Sequence, residues 1–88
     1  MFEKIEVWRC SADKQYVFVF VCFRDVMSGK HYVQSIDALR SKDSSVEISN
    51  IRKNTIDLFL ETEISVRSRG FAELADAVDD AMKWGEVS

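Results

Sequence analysis

The side chains in this chain best suited to nucleophilic or metal chemistry are His31, Cys10 and Cys22. A lone histidine works as a general base only with a nucleophile or substrate group within hydrogen-bond reach. His31 follows Gly29 and Lys30 at the end of a turn-like stretch, and neither a nucleophile nor an orienting carboxylate adjoins it. Structural zinc needs four ligands, usually in closely spaced pairs such as Cys-x-x-Cys, which two isolated cysteines and one histidine do not supply. Ser28-Gly29-Lys30-His31 has one glycine where a phosphate-binding loop has two, and it lies between strand patterns rather than before a helix. Glu61 with Glu63, or Asp79 with Asp80, could pair carboxylates. Glycoside hydrolysis sets two carboxyls of unequal pKa across a sugar-sized cleft, and a chain of 88 residues without a long loop has little wall to build one. These residues predict no catalytic, metal or cofactor site.

Charge narrows the partners. Residues 1–42 hold seven Lys/Arg against five Asp/Glu, whereas residues 43–88 hold five against ten, giving the net charge of −3. Duplex binding draws on clustered cations that displace counterions from phosphate, so duplex DNA is not an expected partner. The longest apolar run, Tyr16 to Phe23, is eight residues, against about 20 for a membrane helix. No N-terminal stretch reads as a secretory signal. The expectation is a soluble, cytoplasmic protein of one domain, 1–88, not bound to membranes.

The elements that must position any site read as α+β. β-branched and aromatic residues concentrate in three runs, 4–10, 15–24 and 30–36, separated by Ser11-Ala12-Asp13-Lys14 and by Asp25-Val26-Met27-Ser28-Gly29, which predicts a three-stranded antiparallel meander. If the turns centre on residues 12–14 and 26–28, Trp8 faces Phe18 and Cys22 faces Tyr32. One sheet face then carries Ile5, Val7, Val17, Val19, Val21, Phe23 and Val33. The other carries Trp8, Cys10, Tyr16, Phe18, Phe20, Cys22, Tyr32 and Ile36. In this register Cys10 and Cys22 are too far apart for a disulfide, both are expected reduced and buried, and His31 points away from Cys22.

Beyond the meander, apolar residues at 71, 74, 75, 78 and 82 predict a helix over 71–83. Residues 44–66 fit two templates. A Ser44-x-x-Glu47 capping box followed by Ile48, Ile51, Thr55, Leu58, Phe59 and Thr62 on one face predicts a helix over 44–61. Alternation from Ile56 to Val66 instead predicts a further strand, giving a four- or five-stranded sheet with a single C-terminal helix. In the first case both helices fit on the aliphatic face and the aromatic face stays open.

Lys14-Gln15-Tyr16-Val17-Phe18-Val19 resembles part of the RNA-recognition-motif signature, whose strand aromatics stack bases. Gln15 and Val17 fill its glycine positions, Val21 its last aromatic position, and the strand precedes any helix, so no membership follows. The functional expectation is a small non-catalytic module that binds another protein or itself, as a homodimer, through Trp8, Tyr16, Phe18, Phe20 and Tyr32 or through its acidic helices. The alternative is a single-stranded nucleic-acid binder that uses the same aromatics with Lys4, Lys14 and Arg24.

Overall fold

In the computed structural model, which describes residues 1–64 and 68–86, three antiparallel strands are followed by two helices. The strands β1 (Phe2–Cys10), β2 (Val17–Asp25) and β3 (His31–Leu39) form one sheet in the order β1-β2-β3. The helices are α1 (Ser45–Glu61) and α2 (Leu74–Glu86). The architecture is α+β, as the sequence predicts, with the helical reading of 44–61 realised. The strand alternative for that segment would have included residues 65 and 66, which lie outside the described residues.

The helices occupy opposite faces of the sheet, not the same one as expected. Under α2, Phe20, Cys22 and Val33 are buried with Ala77, Val78 and Ala81, flanked by Ile5, Val7, Phe18, Ile36, Phe71, Leu74 and Met82. Under α1, Val21, Phe23, Tyr32 and Ile64 are buried, flanked by Phe2 and Phe59. β2 is therefore apolar on both sides because each side has a helix to meet.

The register also differs from the expected one by a residue, and the turns explain why. Trp8 pairs with Val19, and Cys10 with Val17. Six residues, 11–16, close this hairpin rather than the five implied by Trp8 facing Phe18. Lys14 adopts a left-handed backbone (φ 61°), held by its amide donating to Ser11 O at 3.0 Å. Asp13 accepts from Ser11 Oγ at 2.6 Å and from the Gln15 amide at 3.1 Å. Those bonds, the Ser11 hydroxyl first, hold the Asp13 carboxyl below its ordinary range. Such side-chain turns let a non-glycine residue take positive φ.

In the second turn it is Gly29 that takes positive φ (76°), and its amide donates to Asp25 O at 2.7 Å. Here Cys22 pairs with Val33 and Phe23 with Tyr32, and a bulge then sets Val21 opposite Ser35. The bulged residue Gln34 turns into the α1 interface, where its Nε2 donates to Thr55 O at 2.9 Å. Because one step of slip reverses faces, Ile5 and Val7 join Phe20, whereas Tyr32 joins the valines. Ile36 stays with Phe20 because the bulge compensates the slip.

Helix ends follow local chemistry. Ser44 caps α1, its Oγ accepting from the Glu47 amide at 3.3 Å. α2 starts at Leu74 rather than at 71 because the Phe71 backbone is engaged by β3. The His31 amide donates to Phe71 O at 2.6 Å, and the Phe71 amide to His31 O at 2.9 Å. The buried stripe of α2 runs through 77, 78 and 81, and Ala75, expected on it, is exposed.

Candidate functional site

The five aromatic residues expected to share a surface do not share one. Phe20 is fully buried beneath α2, and Phe18 packs at the edge of the same cluster. Tyr32 is buried on the opposite face, with Gly70 pressed against its ring. Tyr16 precedes β2 and carries the Arg40 guanidinium 5.4 Å from its ring centre. Only Trp8 is broadly exposed, at 66%. A base-stacking platform made of these five side chains is not present.

The thiols and the histidine do not converge either. Cys10 is exposed and Cys22 buried, both as free cysteines. The expectation that both are buried is thus corrected for Cys10, which sits at the end of an edge strand. Cys22 pairs with Ile5, five residues along β1 from Cys10 and about 17 Å away, and it faces α2. Burial pushes the Cys22 thiol up to about 11, so at neutral pH it is a thiol and not a nucleophilic thiolate. The register sets His31 opposite Arg24 and Val33 opposite Cys22, so His31 shares the Cys22 side of the sheet, contrary to expectation. Its Nδ1 is buried without a hydrogen-bond partner among the described residues, and the Cys22 thiol donates instead to Phe20 O at 3.7 Å. Among the described residues, no group of three or more His, Cys, Asp or Glu side chains converges as metal ligands. Nor is any helix among them long and apolar enough to cross a membrane.

The feature that does converge is a cleft of about 200 Å³ between the N-terminal half of α1 and the sheet. At the other end of α1 the helix and the sheet meet directly. There Phe59 stacks on Phe23 with ring centres 4.5 Å apart and meets Phe2 edge-on at 5.7 Å, and Thr55 is buried beside Gln34. Toward the N-terminus the helix and sheet part, leaving Ile48 and Ile51 across a gap from Val19, Val21 and Leu39.

Trp8, Val19 and Asp37 form one row across the three strands, so the indole and the carboxylate stand about 10 Å apart at the backbone on either side of the central valine. Among the described residues the Asp37 carboxylate has no hydrogen bond or ion pair, and burial alone raises its pKa above the ordinary value. On β1, Glu6 Oε1 lies 3.5 Å from Lys4 Nζ, and Glu6 Oε2 accepts from Trp8 Nε1 at 3.4 Å. Arg52 stands on the helix side, exposed. The sequence placed Trp8 among its candidates but not Asp37, Ile48 or Ile51. The strand expected over 30–36 stops short of Asp37, which β3, running to Leu39, includes.

Away from the sheet, α1 carries exposed apolar side chains among its polar ones. Val46, Ile56 and Leu60 are exposed, Leu60 at 77%, and Leu60 shares a shallow hollow with Met1, Phe2 and Phe59. No protein-family model, curated protein or solved structure matches this chain.

Proposed function

We propose that this chain is a non-catalytic protein-interaction module whose contact surface is α1 and the cleft beneath it. One observation carries the reading: α1 exposes large apolar side chains, Ile48 beside the cleft and Val46, Ile56 and Leu60 away from it, while only part of its sheet-facing side is buried. A helix that serves only to close a core keeps its outward face polar. Val46, Ile56 and Leu60 depart from that rule, while Ile48 and Ile51 border an open gap. Contiguous exposed apolar side chains mark interaction sites, and Ile56 and Leu60, one helical turn apart, are such neighbours. The dimer expected through Trp8, Phe18, Phe20 and Tyr32 has no such support, since Phe20 and Tyr32 lie beneath different helices.

The test is a photo-crosslinking residue placed at Leu60, with a control at Asp76 on the solvent side of α2, in cells of the source organism. A discrete adduct at position 60, absent at position 76 and lost in Ile56→Lys with helicity retained, supports the module. Absence of an adduct at 60, or equal adducts at both positions, refutes it.

A further inference from the structure

We infer that the cleft between α1 and the sheet receives an arginine side chain of a protein partner, its stem over Val19 and Val21 and its guanidinium on Asp37. This rests on the interaction-module reading and names what the surface takes. The size of the cleft selects the occupant first. At about 200 Å³ it exceeds the roughly 150 Å³ that accommodates benzene, yet falls below the roughly 300–1,000 Å³ of sites for whole small-molecule ligands. A single inserted side chain is the object of that size, and buried anchor residues of this kind dominate protein interfaces.

The lining then selects the chemistry. The floor is Val19, Val21 and Leu39, which suits an aliphatic stem, and beyond it stands a carboxylate with no partner of its own. An uncompensated carboxylate beside apolar walls gains most from a cation that brings its own hydrogen-bond donors. Lys4 does not fill that role because Glu6 holds it on β1. Arg52, at the helix side, forms no ion pair among the described residues.

The row Trp8-Val19-Asp37 sets the reach. A side chain entering over the edge strand β1 passes the exposed indole, crosses β2 and meets Asp37 on β3. Arginine is the long cation whose planar head forks onto a carboxylate and whose body packs on an indole, and it is enriched among interface anchors. The net charge of −3 and the acidic second half of the chain favour approach of a basic partner.

The test is an NMR titration of the full chain with three probes: the N-acetyl methylamides of arginine, norleucine and glutamate. The arginine probe is expected to bind in the millimolar range, shifting the Trp8 indole N–H and the Val19 and Val21 methyls. Norleucine should bind about ten-fold more weakly, and Asp37→Asn should weaken the arginine probe by a similar factor, the scale of one charge-assisted contact. Trp8→Ala, at an exposed position, should weaken it less, and Arg52→Ala should leave it unchanged or tightened. Norleucine binding as well as arginine, glutamate binding better, or Asp37→Asn having no effect overturns the assignment. An adduct at Leu60 without arginine binding overturns this inference alone. Arginine binding without the adduct overturns the wider module reading and leaves the cleft chemistry standing.

Discussion

The two faces of the sheet start from the same material, a central strand apolar on both sides, and end closed to different degrees. α2 brings Ala77, Val78 and Ala81 to its seam, and those short side chains let the helix settle onto Phe20, Cys22 and Val33 until all six are buried. α1 brings Ile51, Thr55 and Phe59, and contact concentrates at the Phe59 end while the other end stands open. Interiors are stable when packed without voids. A helix with small residues at its seam achieves that over its length, and one with a large ring at one end achieves it locally. The tight face is packed along its helix, and the loose one leaves apolar surface open.

That contrast breaks most visibly under truncation. Phe20→Ala, beneath α2, should cost about 3–5 kcal/mol, enough to unfold much of the population of a small domain. Trp8→Ala, on the cleft rim, should stay within about 0.5 kcal/mol. Denaturant midpoints measure both, and equal losses would erase the distinction between the faces.

Enlargement should give opposite signs. Ala81→Leu overpacks the closed seam and should destabilise by about 1–3 kcal/mol. Ile51→Phe has the cleft to grow into and should be neutral or stabilising by up to about 1 kcal/mol. A thermal melt in which both variants lose stability would show that the cleft is not available volume.

Hydrogen exchange sharpens the same point without mutation. Amides in residues 48–52 of α1 should exchange about ten-fold or more faster than those in residues 78–82 of α2, because local opening there uncovers less buried apolar surface.

A smaller effect is expected at Asp37. Burial raises its pKa above the ordinary 3.8, so the folded chain holds that proton more tightly than the unfolded one, and stability falls as pH rises through the interval just above 3.8. Lys4 and Glu6 on β1 and Arg52 on α1 are the other charged groups lining the cleft. Asp37→Asn should therefore raise Tm at neutral pH, with the gain vanishing once the native carboxyl is protonated. A lower Tm at pH 7 would mean that a cation already satisfies the carboxylate.

The smallest effect belongs to the link between β1 and α2. Arg9 Nη2 lies 2.7 Å from Asp79 Oδ1 with both side chains substantially exposed, so Arg9→Ala should cost no more than about 1 kcal/mol, and less in high salt.

Much of the fold was legible in local chemistry. The three strand runs, the positive-φ glycine at position 29 and the Ser44 cap before a helix each depend on residues within a few positions of one another. The candidate site was legible only in part. Trp8 could be singled out as an aromatic on an edge strand, but its row partners could not, because rows across a sheet depend on register.

What the sequence by itself determined is the three strands, the C-terminal helix and the two-sided apolarity of β2, while residues 44–66 fitted a helix and a strand alike. Side-chain alternation and capping act over one turn or one hairpin, so they are readable locally, although the β3 contact with Phe71 still moved the start of α2 to Leu74. Register and the allocation of helices to faces were decided by tertiary structure. A left-handed Lys14 held by Asp13 and Ser11, and a bulge at Gln34 that reaches Thr55, each shift pairing by one position. In a sheet of period two, one position exchanges every face. The same physics placed Asp37 beside an indole in an open cleft: its neighbours across the sheet come from strands whose alignment two small turns and one bulge control.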